Sequence, residues 1–341
     1  MKKERAEALR RYLRQRNLLN LDYKIFSKGN FIYVPITGVD NAAAKALKTF
    51  GASSTYQRFE PQKRREGKKI RAVFDAARYG ALAYDVLGNI AIINESKHAR
   101  ALAKAIIESN PRISTVLMKK GAVKGKYRKR RYAYVLGKKS YTACYRENGC
   151  VFSFDIRKAF FSPRLAYERK RITEQVKEGE RVLVMFAGVG PFAIEIAKHK
   201  KAEVAAIELN AYAYKSMIKN AELNNVKIKA VCGDVRKEAK RFSGWADRIV
   251  MPLPKSSYDF LGQALEAAKR RCVVHYYAFG KGNSAYNYSK KRIASFLNAH
   301  GAKANFMFER AVRPYSPSEI EIVIDFEIEK KQARTAKNQH A

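Results

Sequence analysis

The sequence predicts an α/β protein in which a mostly parallel, doubly wound sheet follows two smaller α+β modules. Three observations predict it. The first is the stretch Arg181 to Phe192, RVLVMFAGVGPF. Its apolar run Val182 to Phe186 has strand length, Gly188 and Gly190 supply a tight turn, and Pro191 stands where a helix would begin. The second is the alternation of strand and helix signals that continues from there to residue 327, the pattern of parallel strands joined by crossover helices. The third is a pair of shorter stretches ahead of it, each mixing strand and helix signals, separated by a polar charge run.

A chain of 341 residues with 47% hydrophobic content has room for two or three domains with real cores. Lys and Arg number 69 against 31 Asp and Glu, a formal charge of +38, and the pI is near 10.1. Such a surplus lies mostly on the surface, where self-repulsion opposes compaction. A polyanion is the simplest partner, nucleic acid foremost; a membrane surface or a compositional bias of the source are the alternatives. Cys144, Cys150, Cys232 and Cys272 form no CxxC and read as buried free thiols in a reducing compartment. The five histidines show no metal-ligand spacing, so no metal is expected. No signal peptide and no apolar run of spanning length is found, so a soluble, cytoplasmic protein is expected.

Residues 1–62 form the first expected module. Ala6, Leu9 and Leu13 lie at helical spacing among arginines; Tyr23 to Ile25 and Phe31 to Ile36 alternate as strands about an SKGN turn; Ala42 to Leu47 is a short helix. Its basic face suits RNA docking as well as plain solvation. Pro61 to Lys69, PQKRREGKK, reads as a linker. The second module spans 68–155: strand, turn and strand over Ala81 to Ile93 about Gly88, a helix Ala99 to Glu108, and a strand Ser114 to Met118. The densest basic region follows, Lys119 to Lys139, with Lys124, Lys126, Arg128, Lys129, Arg130, Arg131, Lys138 and Lys139 interleaved with Tyr127, Tyr132 and Tyr134. Cations there suit phosphates and flat rings suit splayed bases; the alternative is a solvated hairpin.

The third domain spans 156–330. Helix Leu165 to Val176 leads into the glycine-turn strand. Then come strand Glu203 to Leu209, helix Tyr212 to Leu223, strand Lys229 to Cys232, strand Arg248 to Met251 and helix Tyr258 to Ala268. Strand Cys272 to Phe279, helix Ser289 to Leu297 and strands Asn305 to Glu309 and Ile320 to Glu327 complete it. Residues 331–341 form a polar tail expected to be disordered, and no internal repeat is visible.

The glycine turn marks a ligand corner. Glycines let a backbone approach a ligand without a Cβ between them, and open amides at a helix start favour anionic groups. Gly188-x-Gly190-x-x-Ala193 also satisfies the dinucleotide fingerprint, and Glu208 ends the next strand at the ribose-binding distance. NAD and S-adenosylmethionine are therefore level on glycine spacing alone. Gly233-Asp234-Val235, whose acid suits an adenine amino group, and the rigid Pro252-Leu253-Pro254-Lys255 at the mouth of the cleft favour a methyltransferase acting on a planar nitrogen. Strand-end capping for Glu208 and Asp234, and a purely structural proline loop, are the alternatives.

With RENGCVFSFDIRKAFFSPRLAYER (Arg146 to Arg169), MFAGVGPF (Met185 to Phe192), IELN (Ile207 to Asn210), MPLPK (Met251 to Lys255), VVHYYAFG (Val273 to Gly280) and RPYSPSE (Arg313 to Glu319), the chain resembles the archaeal and eukaryotic tRNA (guanine-37-N1)-methyltransferases over nearly its whole length. The resemblance implies a Rossmann-type class I methyltransferase domain, S-adenosyl-L-methionine as cofactor and methyl transfer to N1 of guanine 37. It implies a first module that reads the tRNA elbow, two further domains that hold the anticodon loop, and a monomer with neither membrane nor metal partner. By the same resemblance Glu168 is the general base and Arg128 the arginine on the guanine. Phe161, Arg169, Phe186, Ala187, Gly188, Gly190, Glu208, Leu209, Asp234, Val235, Pro252 and Pro254 line the cofactor, and Phe160 and Pro252 the base pocket. Lys124, Lys126, Lys129, Arg130 and Arg131 contact RNA. Packing or ion pairing is the plain alternative for Phe161 and Arg169, a helix-surface salt bridge for Glu168, and a phosphate contact for Arg128.

Three residues depart from the pattern. Phe160 stands where many members have Tyr, Pro252 where many have Asn, and Val184 where an acid usually precedes Met-Phe. The first two resemble an archaeal subfamily whose members also methylate C7 of the tricyclic 4-demethylwyosine intermediate at the same position. That bifunctional enzyme is the runner-up. Less favoured are an aminocarboxypropyl transferase of the same pathway, a non-catalytic RNA-binding protein and an NAD-dependent oxidoreductase.

Overall fold

The computed structural model describes residues 26–28, 31–34, 47–49, 84–124, 129–282, 284–316 and 318–331, with Leu9, Leu13 and Ala52. The chain divides into two units, Met1–Ala72 and Val73–Ala341. In the first, β1 (Phe26–Lys28) pairs antiparallel with β2 (Phe31–Tyr33). Ser27 and Lys28, expected in the turn, belong to β1 and face Ile32 and Phe31. Leu9 and Leu13, one helical turn apart, are buried. Tyr23 to Ile25 and the linker Pro61 to Lys69 lie outside the described residues.

The second unit opens with β3 (Tyr84–Leu87), β4 (Ile90–Ile93), α1 (Ala99–Ser109), β5 (Thr115–Lys124) and β6 (Lys129–Gly137). Their sheet has the order β3-β4-β5-β6, with β4 and β5 parallel across α1 and the other pairs antiparallel. Gly88 turns β3 into β4 at φ 61, and any Cβ there would lie 1.9 Å from the Cys144 carbonyl oxygen. Helix α1 buries Leu102, Ala103, Ala105 and Ile106, the stripe its apolar spacing dictates.

A hairpin of β7 (Thr142–Glu147) and β8 (Cys150–Asp155) comes next. Its turn is Asn148-Gly149, both at positive φ (44 and 78), the two-residue form that matches strand twist. The sequence reading passed over this hairpin although the Asn-Gly pair announces it.

The remaining elements are α2 (Ala166–Gln175), β9 (Arg181–Met185), α3 (Pro191–His199), β10 (Glu203–Glu208), α4 (Ala211–Leu223), β11 (Lys229–Cys232) and the single turn α5 (Val235–Glu238). After them come β12 (Ala246–Met251), α6 (Leu261–Ala267), β13 (Ala268–Gly280), α7 (Ser284–Ala299), β14 (Ala302–Pro314) and β15 (Ile320–Lys330). The seven-stranded sheet runs β11-β10-β9-β12-β13-β15-β14. Its first five strands are parallel; β15 is antiparallel to both neighbours. The order reverses at β9, and such a switch point opens a crevice at the carboxyl ends of the strands. The helix expected over Tyr258 to Ala268 starts as a 3-10 turn at Ser257–Phe260 and ends at Ala267, because Ala268 already pairs with Ala246.

Both faces of the sheet are covered, so its strands are apolar throughout rather than alternating. Leu183, Met185, Ile249, Met251 and Val274 enter one core cluster; Val182, Val184, Val250, Tyr277 and Val323 enter the other with Ile172 and Phe192. Val184 is fully buried there, an apolar side chain that needs no polar partner.

The β7–β8 hairpin docks on α4 through side-chain amides. Asn224 accepts from the Val151 N–H (2.8 Å) and donates to its carbonyl (2.7 Å), and Asn220 accepts from the Ser153 N–H (2.8 Å). The Tyr212 hydroxyl takes the Asp155 N–H at 2.7 Å. All four cysteines are free, but only Cys150 and Cys272 are buried; Cys144 and Cys232 are exposed, against expectation. Cys144 alternates outward on a half-solvated hairpin strand, and Cys232 sits at the tip of the edge strand β11. Burial pushes the Cys150 thiol up to about 11. Among the described residues no helix is long and apolar enough to cross a membrane.

Candidate active site at the carboxyl ends of the parallel strands

The sheet register brings the predicted ligand residues to one level. Met185 faces Ile207, Glu208 faces Cys232, Val184 faces Val250 and Met251 faces Tyr276. Glu208, Phe186, Pro252 and Tyr277 therefore follow one another along that level of the sheet. Phe186 takes a positive φ of 56, Gly188 60 and Gly190 89, so the chain leaves β9 through alternate left-handed residues and enters α3 at Pro191. At Gly190 a Cβ would meet Met217 Cγ at 2.7 Å; at Gly188 it would meet only the Phe160 carbonyl oxygen, at 3.8 Å. Gly190 is thus glycine for packing, whereas Gly188 keeps a cradle open.

Glu208 is bound into that cradle. Oε2 accepts from the Gly188 N–H and Oε1 from the Asn210 N–H, both at 2.7 Å. Burial raises its carboxyl above the ordinary value, and the N–H groups of Asn210, Gly188 and Leu209 oppose that rise. Asp234 caps α5 by accepting from the Arg236 N–H at 2.9 Å, and its Oδ2 pairs with the Arg236 guanidinium. The capping alternative holds for both acids, with lone pairs left for a ligand. Half-buried Leu209 and buried Val235 flank them. Phe186 packs edge-on against Phe260 at 4.7 Å, and Arg236 lies 4.6 Å over the Phe260 ring. The Pro252–Pro254 turn is tied by the Leu253 N–H to the Met251 carbonyl (2.9 Å) and by the buried Ser257 hydroxyl, 3.0 Å from the carbonyls of Met251 and Leu253. A carboxylate for hydroxyls, a Cβ-free floor and an aromatic wall suit an adenosine-bearing cofactor such as S-adenosylmethionine.

Glu168, in the first turn of α2, is 1% exposed. Its Oε2 accepts from the Tyr277 hydroxyl (3.0 Å) and from Arg171 Nη2 (2.9 Å) and Nε (3.1 Å). Among the described residues its Oε1 has no hydrogen-bond partner, and Arg310 Nη1 stands 3.5 Å away. Burial, then the Glu168 charge, raises the Tyr277 phenol far above its ordinary value, so this group donates. Arg171 continues to Asp325, Asp325 Oδ1 to His275 Nδ1 (2.8 Å), His275 Nε2 to Arg248 Nη1 (2.9 Å), and Arg248 Nε to Glu180 (2.8 Å). Burial holds His275 below its ordinary value. Arginine only donates, so Nε2 accepts and the Nδ1–H donates to Asp325. Burial alone would raise Asp325, yet His275 and Arg171 keep it low.

Other predicted residues fall as follows. Phe161 packs among Tyr145, Phe152 and Phe154 at 5.1 to 5.8 Å, and Arg169 is buried between Glu147 (Nη2–Oε2 2.8 Å) and the Ser162 carbonyl (3.1 Å). Both are engaged in holding the hairpin to α2. Phe160 is 42% exposed. Lys124, Lys129 and Arg130 lie on β5 and β6, and Arg131 is exposed opposite Lys120. Lys126 and Arg128 lie outside the described residues. Lys120 stands opposite Arg131 across the ladder, and its ammonium is paired with the Glu95 carboxylate. Among the described residues no His, Cys, Asp or Glu cluster is arranged for a metal ion.

The reading of the sequence missed Tyr277, Arg171, Arg310, Asp325 and His275. The Glu168–Arg171 spacing of three was legible on a helix, and His275 interrupts an apolar strand. The cross-sheet partners had no local signal.

Comparison with known proteins adds an independent line. Residues 143–304 match the family described as TRM5/TYW2 methyltransferase domain, and residues 1–44 match the tRNA methyltransferase 5 N-terminal domain. The chain is 36% identical over 330 residues to the tRNA (guanine(37)-N(1))-methyltransferase Trm5b of Pyrococcus abyssi, spanning 95% of this chain and 96% of that one. Among solved structures it resembles the complex of aTrm5 with tRNALeu (TM-score 0.66, 30% identity, 96% of this chain and 98% of that one). It also resembles the Methanocaldococcus jannaschii TYW2 complex with AdoMet (TM-score 0.59, 25% identity, 73% of this chain and all of that one).

Proposed function

The chain belongs to the TRM5/TYW2 methyltransferase family, and from that premise we propose that it transfers the methyl group of S-adenosylmethionine to N1 of guanine 37 of tRNA. The observation that carries the reading is Glu168. One of its oxygens is fixed by Tyr277 and Arg171 while the other is left without a hydrogen bond, at the carboxyl edge that holds the glycine turn and Glu208. Guanine N1 bears a proton and is a poor nucleophile until it leaves; Glu168 Oε1 takes that proton as general base. The charge left on the base spreads to O6, where Arg128 stabilises it. Gly188, Gly190, Glu208, Asp234 and the Pro252–Pro254 turn hold the cofactor, with Phe186, Ala187, Leu209 and Val235 around it. When bound, the cofactor supplies an electrophilic sulfonium methyl.

The tRNA is held at its elbow by the first module and at its anticodon loop by the β5–β6 hairpin with Lys124, Lys126, Lys129, Arg130 and Arg131. Position 37 lies in a loop, so the base has only to splay out. The enzyme acts as a cytoplasmic monomer. The test is methyl transfer from labelled cofactor to a tRNA transcript with guanine 37, an adenine-37 transcript as control, and nucleoside mass spectrometry of the product. 1-Methylguanosine from the first transcript alone supports the reading; no transfer with cofactor and tRNA both bound overturns it.

A second reading is favoured by Pro252 and Phe160, which bring neither a side-chain amide nor a phenolic hydroxyl to the base pocket. Such a pocket suits a larger ring, and the enzyme then also methylates C7 of 4-demethylwyosine. Transfer to tRNA carrying that intermediate, read as a gain of roughly 14 Da per methyl rather than about 101 Da for an aminocarboxypropyl arm, decides it.

A further inference from the structure

A general base has to be reached by the proton it takes, and Glu168 is 1% exposed. Its surroundings are uneven. Oε2 has three donors from Tyr277 and Arg171, both held from deeper in the fold. Oε1 has only the guanidinium of Arg310, at 3.5 Å, beyond hydrogen-bond contact. Arg310 comes from β14, the edge strand of the sheet, and its side chain is 32% exposed. The guanidinium lies 4.3 Å over the ring of Tyr167, itself 61% exposed, and its Nε donates to the Ala311 carbonyl at 3.3 Å. The β14–β15 register breaks on both sides of it, between Phe306 and Phe308 and between Ala311 and Arg313. Such irregularities re-aim side chains at sheet edges.

We propose that Arg310 is a cap on Glu168 that bound RNA lifts. This rests on Glu168 being the base. In the free enzyme the guanidinium screens Oε1. When RNA docks, a phosphate draws the guanidinium away, because it offers the paired hydrogen bonds that Oε1 does not. Tyr167 keeps the displaced side chain at the surface. The departure opens a path to Oε1, so the carboxylate can be reached by the proton it takes only once RNA is in place. The charged and titratable groups facing it are Arg171 from its own helix, Tyr277 from β13, Arg310 from β14 and, through Arg171, Asp325 from β15. Arg310 is thus a positioning residue that acts through Glu168.

The experiment compares wild-type, Arg310→Gln and Arg310→Lys enzyme in two readouts: carbodiimide labelling of Glu168 in the free enzyme, read by peptide mass spectrometry, and kcat, KM and salt dependence on the guanine-37 transcript. In Arg310→Gln the cap is gone, and Glu168 labels about fivefold faster than in the wild type. KM for tRNA rises about three- to tenfold, and the salt slope of binding falls by about one. Arg310→Lys labels as slowly as the wild type. Equal labelling of wild type and Arg310→Gln, an unchanged KM and salt slope, or a large loss of kcat at constant KM each overturn the cap. A wild-type enzyme that methylates neither transcript overturns the assigned reaction instead. If Arg310→Gln does not fold, faster labelling of Arg310→Lys than of the wild type overturns the cap and equal labelling with a raised KM supports it.

Discussion

Replacing Glu195 by Gln is expected to stabilise the protein in alkaline but not in acidic solution. Glu195 lies on α3 and is 1% exposed. Its Oε1 accepts from Asn148 Nδ2 at 2.9 Å, and its Oε2 has no partner. Burial is the main reason its carboxyl rises from 4.5 to about 7; the Asn148 bond resists and the Glu147 charge adds to the rise. The folded chain therefore holds this proton more tightly than the unfolded one. Between pH 4.5 and 7 the folded state binds more protons, so stability falls as pH rises and levels off above 7. At about 1.4 kcal/mol for each pH unit separating the two states, the loss is about 3 kcal/mol or slightly more. Gln keeps the acceptor for Asn148 and carries no charge. Urea unfolding should then show Glu195→Gln more stable than wild type by about 2–3 kcal/mol at pH 8.5 and by under about 0.5 at pH 4.5. An equal difference at both pH values would refute the argument and make Glu195 a packing residue.

Three other outcomes are expected. Glu168→Gln should lower kcat by about 10² to 10⁴ while tRNA affinity by filter binding stays within about twofold. Gly190→Ala, which drives a Cβ to 2.7 Å from Met217 Cγ at φ 89, should cost at least about 2 kcal/mol in thermal unfolding, whereas Gly188→Ala at φ 60 should cost about 1 kcal/mol and mainly weaken cofactor binding by calorimetry. Arg169→Met should destabilise by about 3–5 kcal/mol by stranding Glu147, and adding Glu147→Leu should restore most of it, as chemical denaturation would show.

The sheet was legible because its strands carry their own signal. Val182 to Phe186 is apolar end to end, glycines follow at the turn, Glu208 ends its strand and Asp234 stands just after its own. The glycine turn, the two acids and the proline turn therefore met in the structure as their spacing implied. Legibility ended where chemistry depends on distant partners. Tyr277 and Asp325 reach Glu168 and Arg171 from strands more than a hundred residues away, and periodicity carries no trace of such pairing. Arg169 shows the same limit: it lies in a buried ion pair with Glu147, twenty-two residues back, that no local pattern distinguishes from a surface arginine. The Asn148-Gly149 hairpin was a different failure, since the turn signal was on the page and the flanking strands alternate.

The way that hairpin is held has a consequence for where the protein can be divided. By chain order a cut near residue 156 separates the β3–β6 sheet and the hairpin from the seven-stranded sheet. The hydrogen bonds say otherwise. The main chain of Val151, Ser153 and Asp155 is satisfied by Asn224, Asn220 and Tyr212 of α4, much as a neighbouring strand would satisfy it. A fragment beginning at 156 would keep α4 yet lose the groups its amides were built to meet, and would bare the apolar surface under Phe152 and Phe154. Swapping the middle module between relatives therefore means swapping α4's asparagines with it. The smallest transplantable piece is the hairpin together with α4 and the Asn224 that caps it.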